Sequence, residues 1–280
     1  MFFCSTPECY NRSMYLCIDI GGTKTIVALL DASGKILHSV RFQTIDNQSR
    51  FYIILKQHIQ VNFVLDQVKA ISVAMPGIVR KNQAVWLGNL NWHDFDIAAL
   101  LKADFDKPVY VENDANLAAL AEARNNKGRS LYFTFSTGIG GGVVEDGKLV
   151  KRYLEFEPGH NEYTLDGKTA EWEDLAAASA IHKKYGRNVD EITDPADWDE
   201  IVRRMLLGLV PLVSSIKPDR LIFGGPLGLA LDTYRTNLRR ELKSKLPSSV
   251  AMPRFVVARY GSFSVIYGCY HYAKLQASRH

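Results

Sequence analysis

An α/β protein of two similar lobes is what this 280-residue sequence predicts, and three stretches carry the prediction. Asp19-Ile20-Gly21-Gly22-Thr23-Lys24 joins two apolar, β-rich runs through a pair of glycines. Ser136-Thr137-Gly138-Ile139-Gly140-Gly141-Gly142 does the same much later, again with hydroxyl side chains at the tip. Between them, Val111-Glu112-Asn113-Asp114-Ala115-Asn116 turns from a strand into a helix rich in Ala and Leu. Two glycine tips that each open a β-meander, with such a junction between them, indicate a duplicated lobe clasping phosphates.

Composition bounds the reading. A chain with 47% hydrophobic residues can bury a large core. Its formal charge of +4 is mild, and no basic cluster interleaved with aromatics marks a nucleic-acid surface. No apolar run approaches the roughly 20 residues of a membrane span. The four cysteines, Cys4, Cys9, Cys17 and Cys269, show no metal-ligand pairing. Residues 1–13 read as a disordered or loosely attached extension without the charged start and apolar core of a signal peptide. A reducing cytoplasm is the default location.

In chain order, Tyr15 to Ile20 is a strand ending beside Asp19, and it resumes after the glycines as Thr25 to Leu30 and Lys35 to about Phe42. A helix, not a strand, follows the glycines of a P-loop, so this tip is a hairpin. There the backbone amides of Gly21 and Gly22 can approach an anion, with Thr23 and Lys24 adding a hydroxyl and a cation. Asp19 is placed to hold Mg²⁺ through water. A helical pattern covers 47–66, and Val68 to Ala74 is a buried strand turned sharply by Pro76-Gly77. Asn89 lies in the loop before a short helix from Ile97 and offers a donor and an acceptor to sugar hydroxyls.

The central strand, Pro108 to Val111, delivers Asp114 to the start of the next helix, at or beside its N-cap. That is the carboxyl edge of the sheet, where open α/β sheets place ligands. Asn125-Asn126-Lys127-Gly128 then reads as a boundary between lobes 14–127 and 128–263. Beyond the second glycine tip, Glu157 and His160 stand close enough to converge on one ligand. Glu173 falls in the first turn of a helix read as 171–181, where a carboxylate suits the macrodipole. A long helix from Pro195 to Ile216, a strand entering Gly224-Gly225-Pro226, an amphipathic helix to Lys245, a last strand at 255–258 and a last helix near 262–275 complete the chain.

Together these pieces resemble the ROK family of sugar kinases. The resemblance runs from Tyr15 onward and rests on Asp19-x-Gly-Gly-Thr-Lys24, Met75-Pro76-Gly77-Ile78-Val79, Asn89-Leu90-x-Trp92, Glu112-Asn113-Asp114-Ala115-Asn116, Ser136 to Gly142, Glu157-x-Gly159-His160 and Ile222-x-Gly224-Gly225. It implies a two-lobed actin-like ATPase fold, ribonuclease H-like and hexokinase-type, with the helix 264–280 packing back on the first lobe. It implies transfer of the ATP γ-phosphoryl group to a hexose 6-hydroxyl, glucose first, with Asp114 as catalytic base. Gly77, Asn89, Asn113, Asp114, Glu157, His160 and Glu173 match sugar-binding positions. Asp19, Gly21, Gly22, Thr23, Lys24, Thr137, Gly138, Gly140, Gly224 and Gly225 match the ATP and Mg²⁺ positions. Many such kinases are dimers, and a homodimer is an arrangement the resemblance allows. Family repressors carry an N-terminal helix-turn-helix, for which the few residues before Asp19 leave no room.

Two departures stand out. Zinc-containing members follow the Gly-His pair with Cys-x-Cys-Gly-x-x-Gly-Cys-x-Glu. Aligned on Gly167 and Glu173, the cysteine positions here hold Thr164, Asp166 and Glu171, so no structural zinc is expected. The segment is similar to that of polyphosphate glucokinases, which makes polyphosphate an alternative donor to ATP. Pro226 stands where a third glycine is common and lacks a backbone N–H near the base pocket. A sugar sensor without catalysis is the remaining alternative, and the intact Asp19, Lys24 and Asp114 argue against it.

Overall fold

The computed structural model describes residues 13–87, 90–92 and 95–278. Apart from Ser13, the segment read as an extension lies outside them, as do Cys4 and Cys9. The chain divides into two compact units: the residues up to Leu117 together with those from Val265, and Ala118–Ser264. These divisions fall inside helices, not at the turn over 125–128 where composition placed the boundary.

In the first unit, β1 (Met14–Ile20), β2 (Lys24–Leu30) and β3 (Ile36–Gln43) form an antiparallel meander. Helix α1 (Gln48–Asn62) leads to β4 (Val68–Met75), parallel to β1. A hairpin of β5 (Ile78–Arg80) and β6 (Gln83–Trp86) and helix α2 (Ile97–Phe105) precede β7 (Val109–Asn113), parallel to β4. Helix α3 (Asp114–Ala123) follows β7 without an intervening residue. The sheet order is β3-β2-β1-β4-β7. β1 and β4 are buried along most of their length, as strands covered on both faces are. α1 starts where the Asn47 side chain accepts the Arg50 N–H, and it buries Phe51, Leu55 and Ile59 at four-residue spacing. It stops at Phe63, which leaves the helix in an extended conformation and enters the core, so the pattern read to 66 overshoots.

The second unit repeats this plan. β8 (Arg129–Phe135), β9 (Ile139–Glu145) and β10 (Lys148–Leu149) are an antiparallel meander. A hairpin of β11 (Glu162–Leu165) and β12 (Lys168–Glu171), then α4 (Trp172–Ala176), α5 (Ala178–Tyr185) and α6 (Pro195–Ile216) lead to β13 (Arg220–Gly224). After α7 (Gly225–Leu229) and α8 (Leu231–Lys245) comes β14 (Arg254–Val257). The order β10-β9-β8-β13-β14, with β8, β13 and β14 parallel, matches the first sheet strand for strand. The duplication signalled by two glycine tips is a duplication of topology. Trp172 anchors this core, fully buried and edge-on to Phe133 and Phe135.

Two expected helices are broken. The helix read as 171–181 is instead the end of β12 followed by α4 and α5, which part at Ala177 (ψ 160°). The hairpin before it turns on Asp166 and Gly167, both with positive φ; an Asp-Gly pair between β-prone residues signals such a turn. The helix read after Gly225 divides likewise into α7 and α8 at Ala230.

The chain ends in α9 (Ser264–Ala277). Tyr270 lies edge-on to Tyr15 and donates its hydroxyl to the Ala32 carbonyl at 2.6 Å. Gly268 passes so close to the Leu117 carbonyl that no side chain fits between. No described helix is long and apolar enough to cross a membrane.

Candidate active site

Strand register assembles the first half of the site. Asp19 pairs with Ala74, and Met75 pairs with Asn113, so β1, β4 and β7 end on the same carboxyl edge. Asp19 and the β7–α3 junction are two strand spacings apart, on the order of 10 Å. The cap of α3 is Asn113, not Asp114: its Oδ1 accepts the Asn116 N–H at 2.9 Å. Its Nδ2 donates to the Gly77 carbonyl at 2.7 Å. Gly77 meets it with φ 83°, the left-handed conformation that a Pro-Gly turn requires. Asp114 is therefore released from capping. It is the first residue of the helix, half-buried, with Oδ1 accepting the Ala115 N–H at 2.7 Å.

Beneath this junction lies Glu112, which sequence reasoning passed over. It is 5% exposed, and its Oε1 accepts from the Asn113 backbone at 2.9 Å and from Asn116 Nδ2 at 3.1 Å. Burial pushes its carboxyl above the usual range, against those two hydrogen bonds. The available signal was a charged residue inside an otherwise apolar strand.

Burial pushes the Asp114 carboxyl up to about 6, opposed by backbone hydrogen bonds from Ala115 and its own amide. Asp19 is pushed up to about 7 by burial and then by the negative charge of Asp114, with Lys24 opposing. The two acids thus share a site in which burial pushes both carboxyls up. Next to Asp19, Gly22, Thr23 and Lys24 form an exposed tip, closed where Gly21 N–H donates to the Lys24 carbonyl at 3.0 Å.

In the second unit, Ser136, Thr137 and Gly138 close on themselves through Ser136 N–H and the Gly138 carbonyl (2.9 Å), and Ser179 of α5 holds the loop by donating to the Thr137 carbonyl. Gly140 pairs with Thr134 at the head of β9. Gly224 also pairs with Thr134, from β13, which puts Gly224 and Gly225 beside the same loop. Glu173 is wedged against this loop. Its Oε2 accepts the Ile139 N–H at 3.2 Å and fills the spaces that side chains at Gly138 and Gly159 would occupy. It thereby ties the glycine tip to the turn Pro158–His160. His160 Nδ1 lies 2.9 Å from Glu171 Oε2. His160, Glu171 and Glu173 offer donor atoms within 4.8 Å of one another.

The site residues named from sequence fall into these two groups, one per unit, except Asn89, which lies outside the described residues. A cavity of about 1040 Å³ in the first unit, lined by Tyr15, Lys69, Lys107 and Lys274 among others, contains none of them.

Two sheets of matching order, each with a glycine tip at its first hairpin, define the ribonuclease H-like class of actin-type ATPases and hexokinases. A family model described as the ROK family matches residues 15–275, and the chain belongs to that family. A fructokinase of Zymomonas mobilis subsp. mobilis is 29% identical over 264 residues, covering 82% of this chain and 85% of the relative. A ROK family glucokinase from Streptomyces griseus, solved in complex with glucose and AMPPNP, has the same fold (TM-score 0.78, 23% identity, 94% of this chain and 99% of that one). An inorganic polyphosphate/ATP-glucomannokinase from Arthrobacter sp. strain KM is similar with a TM-score of 0.73 and 28% identity, over 94% of this chain and 99% of that one.

Proposed function

We propose that the chain is a hexose kinase that moves the γ-phosphoryl group of ATP to a sugar 6-hydroxyl, with glucose the first acceptor to test. The observation that carries this reading is the state of Asp114: freed from capping by Asn113, half-buried, and held near 6 at the carboxyl edge beside Asp19. A carboxyl near 6 is ionised at neutral pH yet basic enough to take a hydroxyl proton. In the reaction, the sugar oxygen bonds to the γ-phosphorus, its proton passes to Asp114, and the bond to the β-γ bridging oxygen breaks to leave ADP.

Asn113, fixed by its cap and by Gly77, presents the sugar to Asp114. Asn89 and, in the second unit, Glu157, His160 and Glu173 are the further candidate sugar ligands, each on the strength of the resemblance. Gly21, Gly22, Thr23, Lys24, Thr137, Gly138 and Gly140 receive phosphates through backbone amides, hydroxyls and one ammonium. Gly224 and Gly225 lie under the adenosine. Pro226 occupies the first turn of α7, where its missing N–H has no helical partner to lose. A magnesium ion suits Asp19, since a hard cation held through water lets that raised, repelled carboxyl ionise. When bound, the ion neutralises charge on the transferring group.

A second reading keeps the acceptor and takes polyphosphate as donor, favoured by the similarity to the glucomannokinase and by the missing cysteines. A panel of hexoses, N-acetylmannosamine included, assayed with ATP and with polyphosphate, separates the two. Sugar binding without turnover on either donor would refute the kinase reading and leave a sensor.

A further inference from the structure

We propose that the cavity at the amino edge of the first sheet is a second ligand site, fitted to a small molecule carrying two or more phosphate groups. It stands apart from the residues around Asp19 and Asp114, and it does not depend on the kinase reading. Three observations carry it.

First, the cavity lies at the opposite end of the strands that carry the acids. The parallel strands β1, β4 and β7 hold Asp19 and Asn113 at their carboxyl ends. Their amino ends, at Tyr15, Lys69 and Val109, line the cavity of about 1040 Å³. The β5–β6 hairpin, α2 and the last turns of α9 supply the remaining walls, all within the first unit. That volume is at the upper end of the range of small-molecule pockets.

Second, the lining is cationic. Lys69, Lys81, Lys102, Lys107 and Lys274 reach it from different elements, against two aspartates, Asp96 and Asp106. Asp96 already accepts the Ala99 N–H at 3.0 Å and Gln83 Nε2 at 2.8 Å. Among the described residues, none of the first four lysines has a carboxylate partner. One exposed lysine without a partner is ordinary, but several converging on one concavity focus a positive potential there. An ammonium is a compact point charge that suits a phosphate oxygen. Lysines on separate walls call for more than one such group on the ligand.

Third, the backbone sets where these lysines stand. Met14 pairs with Val68 and Tyr15 with Ala70, so Lys69 is an extra residue on β4, bulged out of the ladder with β1. Lys81 and Asn82 form the β5–β6 turn with φ 48° and 69°. Asn82 pins that turn to the edge strand β7, donating Nδ2 to the Val109 carbonyl at 3.0 Å and accepting the Val111 N–H. Lys107 lies between Asp106, the left-handed cap that ends α2, and Pro108, whose carbonyl accepts the Ile71 N–H at 2.9 Å. Lys274 Nζ donates to the Ala32 carbonyl at 3.0 Å and the Tyr270 hydroxyl at 3.1 Å, which leaves one of its donors for a ligand.

The test is calorimetry on the full chain, without nucleotide, sugar or magnesium, using inorganic tripolyphosphate in one arm and fructose 1,6-bisphosphate in the other. At least one of them is expected to bind the wild type with a Kd below about 1 mM, and more weakly as salt is added. The double variant Lys69→Gln, Lys107→Gln should bind it at least about tenfold more weakly, at roughly fivefold per lysine. Lys24→Ala, in the glycine tip, should stay within about threefold of the wild type. The arm that binds more tightly tells a phosphate chain from a phosphorylated sugar. Lys102→Gln, on the exposed surface of α2, should weaken binding by about fivefold and keeps the test open should the double variant fold poorly. Binding of neither anion would overturn the proposal. So would affinity that survives the cavity substitutions and is lost in Lys24→Ala, which would place the anion at the glycine tip instead.

Discussion

Replacing Asp114 with Asn should disable the protein and stabilise it at once. The Asn side chain keeps an oxygen to accept the Ala115 N–H, so the local geometry survives. What disappears is a charge forced into a half-buried site beside a second acid. Raising Asp114 from 3.8 to about 6 corresponds to roughly 3 kcal/mol against the folded state when ionised, at about 1.36 kcal/mol per unit. Solvent reaches part of the group, so about 1–2 kcal/mol is the realistic gain. The sign follows from linkage. The folded carboxyl holds its proton to higher pH than the unfolded one, so the wild type loses stability as pH rises from about 4 through 6. The variant lacks that loss. Denaturant or thermal unfolding in chelator, from about pH 4 to 8, should give coincident midpoints at the acid end. The variant should lead by about 2–4 °C per kcal/mol above pH 6. Sugar-dependent ADP release should fall by about 10²–10⁴. A variant no more stable at neutral pH, or a gap that ignores pH, would refute the electrostatic argument. Activity within about tenfold of the parent would remove Asp114 as base.

Three further substitutions separate fold from function. Gly22→Ala puts a methyl group into open space at a backbone angle any residue accepts. Stability should be unchanged while the KM for ATP rises by about tenfold, and an unaffected KM would take this tip out of phosphate binding. Gly268→Ala should do the opposite, driving α9 off the Leu117 carbonyl and lowering stability by about 1–3 kcal/mol, measured by the unfolding midpoint. Glu112→Ala removes the Glu112 oxygen that accepts from the Asn113 N–H and Asn116 Nδ2. It should cost about 1–3 kcal/mol and lower kcat, whereas Glu112→Gln, which keeps an oxygen in place, should retain most of both; equal effects of the two would count against the bracing role.

Much of the fold was legible because the signals were backbone ones. Strands β1, β2, β4, β7 and β8 are apolar runs bounded by glycine or proline, and the long α6 begins at an Asp-Pro pair whose Asp194 accepts the Ala196 N–H. The segment between His160 and Ile181 resisted. There the period of apolar residues is too short to distinguish a hairpin plus a bent helix from one helix, and the break at Ala177 has no glycine or proline to announce it. Its Asp166-Gly167 turn was present in the sequence, but tertiary contacts, Arg203 on Asp166 and Trp172 in the core, decide how the rest folds.

The site shows a sharper division, visible in its glycines. Gly225 adopts φ 71° against the Phe135 backbone, and Gly77 adopts φ 83° above Asn113, so the fold itself demands both. Gly138 and Gly159 are required by a neighbour instead, since the Glu173 carboxylate occupies the volume of their missing side chains. Gly22 has neither constraint. Packing would let this glycine, in the tip beside Asp19, be alanine, which makes Gly22→Ala the substitution that tests the phosphate-binding proposal. Sequence pattern reports all these glycines alike, and only packing tells which are there for the chain and which for a ligand. The same distinction separates Asn113, the cap, from Asp114, which its neighbour's capping leaves available for chemistry.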